Sequence, residues 1–217
     1  MRGGATGDQW TGGTDMLWCG IMVAVAKIPV RMTVDEFLDW DSGDGLTWQL
    51  VDGEPQAMAP AKLTHAALQG ELAGLIRNHL AARGSPCAVL VTPGVVPHLQ
   101  SSHNVRVPDL AVRCSEPQIE EATLEDPVLI IEILSPSNQA ETWANVWAYI
   151  TIPSVREILV LSSLTIRADI LRRRADSTWP EEPEMIVHGD LVLESIGFRA
   201  PLSDIYRTTR LRRPPGG

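Results

Sequence analysis

A glutamate interrupts the most apolar stretch of the chain. Residues 128–134 read Val-Leu-Ile-Ile-Glu-Ile-Leu, and Ser135-Pro136 ends the run. A run that apolar marks a strand buried on both faces, in the interior of a sheet. An unpaired carboxylate at Glu132 costs several kcal/mol in such a place. Four arrangements relieve that cost: protonation, a cationic partner, a metal ion, or a position where the strand opens to solvent. The strand stops just past Glu132, so the last is available, and strand ends of α/β proteins are where ligands gather. A second acid, Asp109, stands in similar surroundings between Val107 and Leu110.

The flanking sequence supplies the elements around that strand. Residues 33–40 read as a short helix capped by Thr33, with Glu36 three residues on. Asp52-Gly53 between extended runs is a hairpin signal, and Pro55 and Pro60 confine the second hairpin strand to an edge. Residues 62–83 form the longest predicted helix, buried along Leu68, Leu72, Leu75, Ile76 and Leu80 and stopped by Gly84. Strands are expected at 87–92, 94–99 and 107–112. A helix over 138–150 follows the central strand, capped by Ser135 or Ser137. Trp143, Val146, Trp147 and Ile150 recur on its predicted buried face, so the two tryptophans read as core rather than as base-stacking groups. Glu141 and Asn145, one turn apart, share another face. Strands at 156–161 and 166–172 and a β-rich tail over 179–205 complete the pattern. It is that of a mixed α/β (α+β) fold, a sheet with a helix on each side.

Length and composition bound the rest. At 217 residues one domain is the default, and 44% apolar with 21% charged residues is ordinary for a globular chain. The net charge of -9 argues against broad attraction to nucleic acid but leaves room for a local basic groove. Sixteen of the 18 basic residues are arginine; the lysines are Lys27 and Lys62. Cys19, Cys87 and Cys114 show no paired spacing, which suits a reducing compartment without structural zinc and predicts a cytoplasmic protein. The apolar piece 16–25 is too short to span a bilayer, so no membrane association is expected. Residues 1–31 are Gly-rich and read as an unstructured extension, or as the product of a start assigned upstream of Met32. Residues 32–206 form the expected domain, and 207–217 a basic, flexible tail.

Asp109 and Glu132 are the candidate chemistry. Two carboxylates at neighbouring strand ends can hold a hard divalent cation such as Mg2+ or Mn2+. Such an ion polarises a phosphodiester and acidifies a bound water. Glu54, at the hairpin, could add a third oxygen. From spacing alone the rival readings stay open: a salt bridge from Glu132 to an arginine in an unrelated α/β protein, and a core role for His65 and His79.

Pro108-Asp109, Glu132 within Ile-Glu-Ile-Leu-Ser-Pro-Ser, and Tyr149 followed by Ile-Pro-Ser-Val-Arg-Glu together resemble the Uma-two family of restriction endonucleases, in the PD-(D/E)XK nuclease superfamily. The resemblance runs from about Met32 to Tyr206 and takes in Met-Thr-Val-Asp-Glu-Phe, Leu-Val-Asp-Gly-Glu and His65. It implies a restriction-endonuclease-like mixed β-sheet flanked by helices, with an N-terminal hairpin and a β-rich C-terminal extension. It also implies magnesium-dependent cleavage of DNA, with Asp109 and Glu132 as metal ligands and Glu54 and His65 at further family positions. The superfamily lysine position two residues after the glutamate is Leu134 here. The family's lysine on the following helix aligns with Asn145, and its helix acid with Glu141. Losing one such charged contact typically costs on the order of 10²–10³ in rate. Lys62 and Arg106 are candidate replacements, though an arginine suits clamping a phosphate better than activating water. Arg172, Arg173 and the arginines of the tail are candidate DNA contacts. Nucleases of this kind often act as dimers, so a homodimer is among the expectations. The alternative function is a catalytically inactive nuclease-fold module that binds DNA or protein.

Overall fold

The computed structural model describes residues 31–116 and 121–212. The sequence-based expectation for residues 1–30 and for the last five residues lies outside these.

A six-stranded sheet carries the fold. Its strands are β3 (Ala88–Val91), β4 (Leu110–Arg113), β5 (Pro127–Leu134), β6 (Glu157–Ser162), β7 (Ala168–Arg172) and β8 (Glu184–Ile186), adjacent in that order. All neighbours are antiparallel except β5 and β6, which run parallel. That parallel pair needs a crossover, and helix α3 (Gln139–Tyr149) supplies it. Helix α2 (Leu63–Ala82) lies on the opposite face.

The pleat of β5 divides the core. Leu129, Ile131 and Ile133 pack with Leu68, Leu72 and Ile76 of α2, and Ile130 packs with Val146 and Tyr149 of α3. By the two-residue period Glu132 shares the face of Ile130 and so lies under α3.

Two smaller hairpins flank the sheet. Strands β1 (Trp48–Val51) and β2 (Glu54–Ala57) are joined by Asp52 and Gly53 at φ 50° and 85°, the pair of positive values that a two-residue type I′ turn requires. Strands β9 (Asp190–Leu193) and β10 (Phe198–Pro201) close the α2 side of the core. Helix α1 (Val34–Leu38) has the expected capping box between Thr33 and Glu36.

Several local expectations are corrected by tertiary structure. Residues 94–99 form no strand; Val95 makes only isolated bridges to Arg106 and Leu124. Helix α3 has Asn138, not Ser135 or Ser137, at its N-cap, and the Asn138 Oδ1 accepts from the Ser135 amide and hydroxyl instead of from its own helix. Its buried face is Thr142, Asn145, Val146, Ala148 and Tyr149, while Trp147 is 45% exposed. Trp143, Val146 and Ile150 pack on the core as the apolar spacing predicts; Trp147 does not, and Asn145 and Tyr149 are buried toward the strand. Arg207 pairs with Glu71 of α2 at 2.7 Å, and Thr209 is buried, so the expected loose tail is docked as far as Arg212.

Cys87 and Cys114 form a disulfide. They lie 27 residues apart in sequence, yet the antiparallel ladder sets them one step beyond the Ala88–Arg113 pair. The expectation of unpaired thiols fails because strand pairing, not sequence spacing, decides which cysteines meet; Cys19 is outside the described residues. By the chain-entropy account, closing a loop of this length stabilises the fold by about 3–4 kcal/mol. Dithiothreitol, or Cys87→Ser, is therefore expected to lower the melting temperature by roughly 10 °C. Paired thermal melts with and without the reductant check this.

Candidate active site at the end of the central strands

One step beyond the Leu110–Ile131 pair, Asp109 stands opposite Glu132 at the end of β4. Both are buried, at 8% and 5% exposure. The Asp109 carboxylate is held from two sides. Its Oδ2 accepts from the backbone N–H of Ile133 at 2.6 Å, and its Oδ1 lies 2.7 Å from Nε2 of His65. Gln69, one turn along α2 from His65, donates to the Asp109 carbonyl at 2.9 Å. The first two turns of α2 thus fix Asp109 against β5.

Glu132 is held by α3. The Tyr149 hydroxyl donates to Glu132 Oε1 at 2.8 Å, and the nearby Asn145 side chain also favours the ionised carboxylate. Residues 142, 145 and 149 recur on one helix face, which presents Asn145 and Tyr149 together to the strand. Burial, then the charge of Asp109, raises the Glu132 carboxyl well above the ordinary carboxylate range, and Glu141 adds to the rise. The Tyr149 bond and the Asn145 side chain oppose it. Burial and the Glu132 charge in turn push the Tyr149 phenol well up. Among the described residues Glu132 makes no ion pair, so the reading of Glu132 as half of a buried salt bridge is not what the structure contains.

The β1–β2 hairpin forms a third wall. Leu50 and Val105 exchange both backbone hydrogen bonds, at 2.8 and 3.0 Å, which sets Gln49 alongside Arg106. Gln49 Nε2 donates to Glu141 Oε1 at 2.6 Å. Arg106 is 8% exposed and donates through Nη1 to Asn145 Oδ1 at 3.2 Å and through Nη2 to Asn104 Oδ1 at 3.0 Å. Burial lowers the Arg106 pKa, opposed by Tyr149, Asp52 and Glu141.

The site therefore gathers Asp109, Glu132, Glu141, Asn145, His65 and Arg106. It does not gather the other candidates. Glu54 is exposed at the start of β2, and no group of three or more His, Cys, Asp or Glu side chains among the described residues is arranged to hold a metal ion. Any ion there must rest on the carboxylate pair with further oxygens from amides, substrate or solvent. Lys62 is exposed at the cap of α2. Arg172 bonds Glu157, Glu184 and the Val192 carbonyl, and Arg173 bonds the Pro153 carbonyl and lies 5.7 Å from the Trp179 ring centroid. Both brace the far end of the sheet, since Arg172 pairs with Glu157 and Glu157 with Leu129, three residues before Glu132.

Sequence reasoning missed Gln49, Gln69 and Asn104, and it used Tyr149 only as a family landmark. The spacing Glu141, Asn145, Tyr149 was a usable signal, because residues at four-residue intervals stack along one helix flank. Nothing in the hairpin sequence marks Gln49.

A mixed sheet with a helix on each side and two acids at the ends of its central strands defines a nuclease-like α/β fold. Residues 34–199 match the Uma2 family, described as "Putative restriction endonuclease", and the chain belongs to that family. An uncharacterised protein, slr1290 of Synechocystis, is 26% identical over 184 residues, covering 82% of this chain and 92% of that one. A solved structure described as a putative nuclease of DUF820 from Anabaena variabilis superposes with a TM-score of 0.67 at 17% identity, over 81% of this chain and 98% of that chain. No helix among the described residues is long and apolar enough to cross a membrane.

Proposed function

We propose that this chain is a metal-dependent endonuclease that hydrolyses DNA phosphodiester bonds at Asp109 and Glu132. The observation that carries the reading is a buried pair of facing carboxylates with no cationic side chain paired to Glu132. Burial, and after it repulsion from Asp109, raises the Glu132 carboxyl, and a divalent cation between the two acids would relieve both. The donor set fits, because it consists of hard oxygens and each carboxylate keeps lone pairs beyond those used by His65, Ile133 and Tyr149. Gln49 Oε1, buried without a hydrogen-bond partner, is a further hard oxygen on the adjoining wall. Asp109 and Glu132 would hold Mg2+ or Mn2+, which when bound would supply Lewis-acid activation of a phosphodiester and of a water. The chain's own groups do the rest. His65 and the Ile133 amide orient Asp109, Tyr149 and Asn145 orient Glu132, and Gln49 fixes Glu141 at the mouth of the site.

A second reading, a nuclease-fold module without catalysis, is favoured by one feature: among the described residues no lysine stands with these groups. Calorimetric titration of Mg2+ and Mn2+, with plasmid nicking followed in the same samples, separates the two. Binding and nicking in wild type, both lost in Asp109→Ala/Glu132→Ala, support the nuclease. Binding without nicking supports the module. No binding in wild type overturns the metal site.

A further inference from the structure

We infer that Arg106 is the phosphate-recognising cation of this site, held ready by two carboxamides instead of by a carboxylate. The inference rests on the nuclease reading and names how the site meets its substrate. The other buried arginine among the described residues is neutralised, Arg113 pairing with Glu121 at 2.5 Å, and the half-buried Arg172 pairs with Glu157. Arg106 is more than nine-tenths buried, yet its hydrogen bonds go to Asn104 and Asn145, both uncharged. Among the described residues no ion pair to it occurs and its Nε has no hydrogen-bond partner. A guanidinium carries five N–H donors, and the two bonds to Asn104 and Asn145 leave most of that planar fork open. Such a fork matches two oxygens of a phosphate.

The surroundings show why this charge matters. Asp109, Glu132 and Glu141 would repel a phosphodiester, and Lys62 is exposed at the cap of α2. Asn145 ties the two halves together. Its Oδ1 accepts from Arg106, and the same side chain favours the ionised form of Glu132. One amide thus stands between the cation and the candidate metal-binding acid. The opposite role, a purely structural one, is to hold Asn104. That residue accepts from the Asp52 amide at 3.0 Å and donates to Asp52 Oδ1 at 3.1 Å, and so braces the hairpin turn.

The test compares the full-length wild type with Arg106→Gln and Arg106→Lys. Nicking of supercoiled plasmid is measured with Mg2+. Binding of a short fluorescent DNA duplex is measured with Ca2+ in place of Mg2+, over a range of salt. Mg2+ affinity is measured by calorimetry and folding by thermal melts. Arg106→Gln should lower the nicking rate by about 10²–10³ and reduce the slope of log affinity against log salt by about 1, with Mg2+ binding kept. Arg106→Lys should keep the salt slope but recover only part of the rate, because it restores the charge and not the fork. Wild-type slope and rate in Arg106→Gln would overturn the inference and leave the nuclease reading intact. If Arg106→Gln does not fold, Arg106→Lys decides alone: wild-type rate overturns the inference and a partial rate supports it. Absence of nicking in wild type, by contrast, is a failure of the nuclease reading.

Discussion

Glu132→Gln is expected to give a protein that melts at a higher temperature than wild type in EDTA and no longer nicks DNA. Glutamine has nearly the same shape, and its carbonyl can still accept from the Tyr149 hydroxyl 2.8 Å away. What disappears is a carboxyl buried beside Asp109, whose ionisation burial and the Asp109 charge both oppose. Removing that conflict stabilises the fold by on the order of 1–3 kcal/mol, or roughly 3–10 °C. Removing a ligand of the proposed ion lowers nicking by at least about 10³. The pH dependence follows with a definite sign. Glu132 stays protonated in the folded chain at pH values where it is ionised in the unfolded one, so the unfolded state binds fewer protons. Metal-free wild type therefore loses stability as pH rises above the ordinary carboxylate range toward the raised folded value, and Glu132→Gln lacks that loss. Melts of both proteins in EDTA from about pH 5 to 8 check it. A variant less stable than wild type at every pH would count against a strained carboxylate pair.

The second large effect lies far from the site. Glu157 is buried at 2% exposure and accepts three bonds: from Arg172 Nε at 2.9 Å, from the Glu194 amide at 3.0 Å and from the Ser195 amide at 2.7 Å. One carboxylate thus joins β6 and β7 to the turn between β9 and β10. Glu157→Ala removes all three bonds and leaves the Glu194 and Ser195 amides without this acceptor, at an expected cost of about 3–5 kcal/mol. Denaturant unfolding should show a lower midpoint at unchanged slope. Mg2+ affinity at Asp109 and Glu132 should survive at temperatures where the variant is folded.

The sequence showed its two acids clearly because each sat where an acid is expensive. Glu132 broke an apolar run, and Asp109 opened another. The hairpin at Asp52-Gly53, helix α2 and the β5–α3–β6 order were legible for the same reason, since turn chemistry and periodicity are local. What was not legible depends on pairing across the fold. Gln49 acquires meaning only because Leu50 bridges Val105, 55 residues on, and so sets Gln49 next to Arg106. The disulfide becomes visible only once β3 lies against β4. Trp143 and Trp147 had the spacing of a core face, but only Trp143 packs on the core, while Asn145 and Tyr149 are buried toward the strand and Trp147 faces out. Arg172 and Arg173 looked like a basic patch because their acceptors, Glu157, Glu184 and the Pro153 carbonyl, are brought to them by other segments.

The six strands of the sheet stand side by side in the order in which they occur along the chain, even across the helical crossover. Each strand leaving the ribosome therefore finds its partner already waiting, and the sheet can grow by accretion at one edge. Contacts of this kind are close in sequence and quick to form. Every group of the proposed site has been synthesised once Tyr149 has emerged, before β6 exists. Until then β5, whose residues are almost all destined for the interior, is itself the open edge of the growing sheet. A chain halted between β5 and β6 would present that edge to its neighbours, so nascent chains stalled there are the form of this protein most prone to aggregate.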